Sequence, residues 1–266
     1  TVHPAILFAA KLLGIEKIYR VGGVQAIAAM AYGTESIPAV YKVFGPGNQY
    51  VTHAKKIIQQ EGTAIDMPAG PSELAVYADE TAKPSFVAAD MLSQSEHGVD
   101  SQVILVTTSR IFASDVNKEL DSQIEKIPRK SIAMKALENS KIFLMPDKDI
   151  SMDLLNTYAP EHLILACSDA EGLAAKIRNA GSVFIGHFSP ESAGDYASGT
   201  NHTLPTNGFA KSYSGVSLES FVKKISFQQL TREGLQSIGK TVIEMAQAEG
   251  LHAHASAVRI RLLETK

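Results

Sequence analysis

Along most of the chain, short runs rich in β-branched residues alternate with longer stretches whose apolar positions recur at helical spacing. The strand candidates are residues 17–21, 39–44, 74–78, 102–107, 141–145, 162–167 and 182–185. Helical patterns fill the intervals at 4–13, 24–31, 49–60, 84–96, 111–127 and 170–179. This alternation predicts βαβ units and an α/β fold with parallel sheets, since a parallel neighbour is reached only through a crossover. Val103-Ile104-Leu105-Val106 is apolar without alternation, as a strand covered on both faces would be. From about Ser217 the texture changes, and helical patterns at 232–249 and 254–263 follow with little further strand. Residues 217–266 therefore read as a separate helical tail. The stretch 192–217 is rich in glycine and serine, with few periodic apolar positions. A long ordered loop inside a compact domain is usually functional. The opening residues run straight into a helix pattern, with Pro4 suited to a first turn, and nothing before it reads as the start of a sheet. That sets the expectation of a missing preceding segment.

With 266 residues, 45% hydrophobic and 20% charged, the chain can bury a core as one large domain or two ordinary ones. The formal net charge is −3, the sequence pI is about 6.2, and there is no basic run, so a phosphate backbone is a poor partner. Cys167 is the only cysteine. No disulfide framework can form within the chain, which suits a reducing compartment. No apolar run approaches bilayer-spanning length, and the first residues lack the basic start and apolar centre of a signal peptide. A cytoplasmic protein is expected.

Several polar constellations carry candidate chemistry. Gln94 and His97 stand three apart at the end of a helical pattern closed by Gly98, so both can face one ion. Taken alone, a solvated helix end with His97 near the carboxyl-terminal dipole explains them better. Pro160 disfavours helix at Ala159 and leads into Glu161 and His162 at a strand start. Adjacent strand residues face opposite sides, but a strand end can bring both into one cleft. There a carboxylate and an imidazole supply general-base chemistry near neutral pH. An ordinary loop-to-strand junction accounts for the dipeptide equally well.

Glu191, Asp195 and His202 lie among glycines and small polar residues, which let a backbone crowd a ligand, and Asp195 offers a hard oxygen to a metal. Glu249, His252 and His254 gather at a helix-to-helix junction, a weak signal by itself. Gly45-Pro46-Gly47-Asn48 forms a strand–turn–helix element, and a helix amino terminus favours phosphate. It is not the dinucleotide fingerprint, because Tyr50 stands in the third glycine's place, and a structural turn is the safer reading. Gly70-Pro71-Ser72-Glu73 is a similar turn that sets Ser72 at a strand's beginning. A ligand set of Gln, His, Asp and His, without cysteine, excludes a structural zinc finger and points to a site open to substrate.

Seven segments, taken in order, resemble the histidinol dehydrogenases, the family that closes histidine biosynthesis. They are Gly22-Gly-Val-Gln25-Ala-Ile-Ala-Ala, Gly45-Pro-Gly-Asn48, Ile65-Asp-Met-Pro-Ala-Gly-Pro-Ser72-Glu, Gln94-x-x-His97-Gly98, Ala159-Pro-Glu161-His162-Leu, Gly194-Asp195-Tyr-Ala-Ser-Gly-Thr-Asn-His202 and Glu249-Gly-Leu-x-Ala-His254. Each is modest alone; together they are highly specific, and the resemblance runs from Pro4-Ala-Ile to Arg261-Leu. It implies that Gln94, His97, Asp195 and His254 ligate zinc and that Glu161 and His162 are the catalytic bases. Ser72, His202 and Glu249 would contact substrate, together with His162 and the zinc ligands, and Gln25 and Asn48 would contact NAD. His53, His187 and His252 match no role and read as surface or packing residues. Ser95 and Val99 replace small or proline residues common in the family, without touching a ligand.

The implied activity is oxidation of L-histidinol through L-histidinaldehyde to L-histidine with two NAD, in a cytoplasmic homodimer that exchanges its tails. The implied architecture is two Rossmann-like parallel-sheet domains in an aldehyde-dehydrogenase-like arrangement. Residues 1–73 with 153–216 would form one domain, 74–152 an incomplete second, and 217–266 the dimerisation tail. Family members carry a substantial segment before the equivalent of Pro4, so the chain is expected to lack it and to have little activity alone. Two alternatives remain open: a truncated non-catalytic relative that keeps the fold and zinc, or a zinc hydrolase using Glu161 on a metal-bound water. A full four-ligand set leaves little room for the water such a hydrolase needs.

Overall fold

In the computed structural model, which describes residues 2–68 and 70–263, the chain begins with α1 (Pro4–Leu12), α2 (Gly23–Tyr32), β1 (Lys42–Val43), α3 (Gln49–Gln60) and β2 (Ala64–Ile65). Proline at the head of α1 loses nothing, because the first N–H groups of a helix have no partner within it. Asn48 caps α3, its Oδ1 accepting from Tyr50 N and Val51 N at 3.1 Å. β1 and β2 pair in parallel, and Ile27, Val43, Val51, Ala54, Ile58 and Ile65 form a small core over them.

The main sheet follows. Its strands are β3 (Glu73–Ala78), β4 (Gln102–Thr107), β5 (Lys141–Leu144), β6 (His162–Ala166) and β7 (Ser182–Ile185). They run in parallel in the order β5-β4-β3-β6-β7, with Leu74 opposite Val103 on one side and His162 on the other. The connecting helices are α4 (Pro84–Ser95), α5 (Arg110–Ile124), α6 (Lys130–Glu138), α7 (Lys148–Tyr158) and α8 (Ala170–Ala174). Every residue of β3 is buried, so alternate side chains feed two cores. Leu74, Val76, Val103 and Leu105 pack with Val87 and Met91 of α4 and Val116 of α5. Ala75, Tyr77, Ile104 and Leu163 pack with Met152 and Leu155 of α7 and Leu173 of α8. This explains why these strands lack apolar–polar alternation. Beyond β7 come α9 (Glu191–Tyr196), two short 3-10 turns, α10 (Arg232–Ala248) and α11 (His252–Leu263).

The sheet does not divide where the sequence reading placed its domain boundaries. β3 joins strands from both sides of the expected breaks at 73/74 and 152/153, because it is central and hydrogen-bonds to β4 and to β6. Two compact units are present, Thr1–Phe221 and Val222–Lys266. Residues 217–221 stay with the first unit: Phe221 stacks on Phe44 at 4.3 Å between ring centroids, and Lys42 Nζ donates to the Ser220 carbonyl at 2.6 Å. Residues 17–21 form no strand, and Ile18, Tyr19 and Val21 stay exposed. The pattern has β propensity, but a strand also needs a partner to hydrogen-bond. The 39–44 candidate shrinks to β1, the 170–179 helix to α8, and α6, α7 and α9 were not anticipated. Among the described residues, no helix is long and apolar enough to cross a membrane.

Asp90, on α4, has its carboxyl pushed from 3.8 to about 7 by burial alone. Folding thus favours the protonated acid. That contribution is complete below pH 3.8 and is lost as pH rises through about 7. Asp90→Asn should therefore raise the melting temperature at pH 8 and leave it nearly unchanged at pH 4. The gain is roughly 1.4 kcal/mol for each unit of displacement that survives partial solvent access. Equal melting shifts at both pH values would reject this.

Candidate catalytic and metal site

β3 and β6 begin side by side, and their first residues gather the polar side chains that the sequence singled out. α7 ends with Ala159 at φ 56, a left-handed conformation that a side chain adopts only at a cost. Pro160 then turns the chain into Glu161 and His162. Gly181 lets the neighbouring segment close against this pair, for a Cβ there would sit 2.5 Å from the Glu161 carbonyl. α4 brings Gln94 near its carboxyl end with His97 just beyond it, and α9 carries Glu191 and Asp195 one helical turn apart.

His162 is 3% exposed. Its Nδ1 lies 3.3 Å from the Glu73 carbonyl. A carbonyl only accepts, so Nδ1 carries the proton and the neutral ring keeps its lone pair at Nε2. Nε2 is buried, without a protein hydrogen-bond partner, and 3.7 Å from Asp195 Oδ1. Burial holds the His162 pKa below its ordinary value, the Asp195 carboxylate opposes this, and His97 and His202 reinforce it. The ring is thereby kept neutral, as a proton acceptor must be.

Glu161 Oε2 accepts from the Glu73 backbone N–H at 2.9 Å and lies 3.6 Å from His162 Nδ1. Burial drives its pKa well above the usual carboxylate range, and the charges of Glu73, Glu191 and Asp195 add to that. Two further acids belong to this cluster and were missed as functional residues. Glu191 is 1% exposed, accepts from Ser93 Oγ at 2.9 Å, and places Oε2 3.8 Å from His162 Nδ1. Burial pushes it up to about 7. Glu73 is likewise raised to about 7 by burial, and its Oε1 accepts from Asn207 N at 2.9 Å. The available signal was the spacing of Glu191 four residues before Asp195; for Glu73 it was its place in the quoted turn.

Gln94 is 1% exposed, and its Oε1 has no partner; Asp195 Oδ1 is in the same condition. Buried oxygens left unpaired cost free energy, and a cation relieves that cost. The donor chemistry of these two positions thus fits zinc, although no group of three His, Cys, Asp or Glu gathers to hold a metal among the described residues. His97 is exposed and close enough to His162 to affect its titration. His254, in α11, and Glu249, which ends α10, belong to the second unit, and both are exposed.

Ser72 is half-buried, one residue before Glu73, and its carbonyl accepts from Gln102 N at 3.1 Å. His202 is exposed on the loop after α9. Gln25, near the start of α2, and Asn48, capping α3, are exposed at the amino ends of two helices that are in contact. Helix amino ends suit an anionic dinucleotide, and α2 has no side-chain cap of its own. His53 and His252 are exposed, while His187 contacts Thr81 Oγ1 at 3.2 Å.

Residues 1–262 match the family model described as histidinol dehydrogenase. The chain belongs to the histidinol dehydrogenase family. The histidinol dehydrogenase of Bacteroides thetaiotaomicron is 60% identical over 261 residues, covering 98% of this chain and 61% of that protein. That of Bacteroides fragilis is 61% identical over 265 residues, covering 100% of this chain and 62% of the relative. The crystal structure of histidinol dehydrogenase from Elizabethkingia anophelis superposes with a TM-score of 0.95 at 57% identity, over 98% of this chain and 60% of that one. The chain therefore spans about six-tenths of the length of the histidinol dehydrogenases it matches.

Proposed function

We propose that the chain carries the catalytic bases for NAD-dependent oxidation of L-histidinol through L-histidinaldehyde to L-histidine, the last steps of histidine biosynthesis. The observation that supports this most is the His162 ring: tethered through Nδ1, kept neutral by burial, with a buried and unpartnered Nε2. His162 Nε2 takes the hydroxyl proton of the alcohol as hydride leaves the carbon. Glu161 removes a proton from the water that hydrates the aldehyde while His162 returns its own to the carbonyl oxygen, and the neutral ring then deprotonates the hydrate for the second oxidation. Each oxidation removes two electrons, so alcohol to acid consumes two NAD, bound by Gln25 and Asn48. Gln94, His97, Asp195 and His254 would hold zinc, which would supply a Lewis-acidic anchor for the substrate. Ser72, His202 and Glu249 complete the substrate contacts. The cytoplasm suits a chain whose lone cysteine, Cys167, is buried and free.

Two measurements test the reading. In a chain of the relatives' full length, L-histidinol should yield two NADH per molecule consumed; a single NADH, or none, rejects the four-electron reaction. His97→Ala should lower zinc content after dialysis markedly, whereas His187→Ala should not. Equal loss in both variants rejects the ligand assignment.

A further inference from the structure

Lys55 on α3 and Asp66 after β2 form an ion pair whose side chains are 2% and 1% exposed. Charged groups are rarely buried so deeply without a specific set of partners. The Lys55 ammonium donates to Asp66 Oδ1 and to the carbonyls of Gly45 and Met67, the latter two at 3.0 Å, so its three protons are all engaged. Asp66 Oδ2 accepts from Gly45 N at 2.8 Å, and Oδ1 accepts from Met67 N at 2.7 Å. Gly45 and Met67 are thus each held by both backbone polar groups. The path between Gly45 and α3 is also constrained. Gly45 has φ 136, and a Cβ on Gly47 would lie 2.4 Å from Val51 Cγ1. Asn48 then spends its side-chain oxygen on capping α3. An amide nitrogen can only donate, so Asn48 would meet a ligand as a donor.

We propose that the Lys55–Asp66 pair positions the cofactor. It locks the Gly45–Asn48 turn to Asp66 and Met67, so that a dinucleotide held at Asn48 meets the substrate in a fixed position. This rests on the NAD reading above. A pair serving stability alone is replaceable, because apolar residues of similar volume often substitute for buried ion pairs. Such a replacement leaves the backbone groups of Gly45 and Met67 without their partners, and the turn free to move.

In a chain of the relatives' full length, Asp66→Asn should weaken NAD binding, read as Kd by titration calorimetry, by about 10- to 100-fold, with KM for histidinol changed by no more than about twofold. Lys55→Met combined with Asp66→Leu should show the same selective loss even where its melting temperature equals the wild type's. Unchanged Kd for NAD in either folded variant overturns the proposal, as does an equal rise in KM for histidinol, which marks general loosening. Should neither variant fold, hydrogen exchange on the wild type decides: the amides of Gly45 and Met67 should be protected before NAD is added, and free-loop exchange there overturns the clamp. Absence of histidinol-dependent NADH formation in the wild type would instead count against the proposed function, while calorimetry and exchange still read the clamp.

Discussion

Exchanging His162 for asparagine should slow histidinol oxidation, and NADH-driven reduction of the aldehyde, by about 10²–10⁴-fold each, the usual worth of one general base. Asparagine is a demanding choice because its amide nitrogen can occupy the place of Nδ1 and still donate to the Glu73 carbonyl. The tether survives, and what disappears is the Nε2 lone pair, which in the native ring is buried and without a protein partner. Glu161→Gln is expected to separate the two half-reactions. A glutamine oxygen keeps the hydrogen bond from Glu73 N, now 2.9 Å from the carboxylate, while the base is lost. Aldehyde hydration and the overall four-electron reaction should fall by about 10²–10⁴-fold, with aldehyde reduction much less affected. An intact overall rate in Glu161→Gln would remove Glu161 from the hydration step. An intact rate in both directions for His162→Asn would remove His162 from proton transfer. Both outcomes are read from steady-state NADH absorbance with each substrate.

The parts of this fold that local pattern determines were readable in advance. Gln102–Thr107 and Ser182–Ile185 fall on the expected bounds, because short apolar runs rich in β-branched and aromatic residues favour extended backbone. Pairing order was not readable. Nothing in Glu73–Ala78 says that it sits at the centre of the sheet with His162 opposite Leu74, since that depends on partners far along the chain. The missed helix α7 did carry a start signal in Asp147, whose side-chain oxygen accepts from Ile150 N at 2.8 Å.

At the site, Glu161, His162, Gln94 and Asp195 were visible as residue types in motifs, and burial gives them their character. Glu73 and Glu191 stood in quoted stretches of the sequence, but their place beside His162 became visible only in three dimensions. A glutamate is ordinarily a surface residue, and both matter here because the fold desolvates them next to His162. The Lys55–Asp66 pair was silent for the same reason: its acceptors are backbone atoms of Gly45 and Met67, which carry no sequence signature.

Mixing inactive Asp195→Ala and His254→Ala subunits, each at the relatives' full length, should restore roughly a quarter of the active sites, because random exchange makes half of the dimers mixed and gives each mixed dimer one intact site. The expectation belongs to the proposed homodimer, in which His254 of one subunit completes the zinc site of the other. The tail's own packing gives it a motive for exchange. α10 and α11 close on each other at Gly239, where a Cβ would lie 2.8 Å from Leu262 Cδ1. Their junction leaves a groove of about 660 Å³ lined by Leu230, Leu235, Ile238, Val242 and Val258. Ala246 is buried, whereas Ile238 and Met245 remain 43% and 60% exposed. Apolar surface gathered in this way on a short helical unit is costly in water, and a twofold exchange covers it twice with one interface. If both ligands came from a single chain, every site in the mixture would lack one of them and the mixture would stay inactive. Native mass spectrometry verifies that mixed dimers form; full inactivity after that verification would assign Asp195 and His254 to the same subunit.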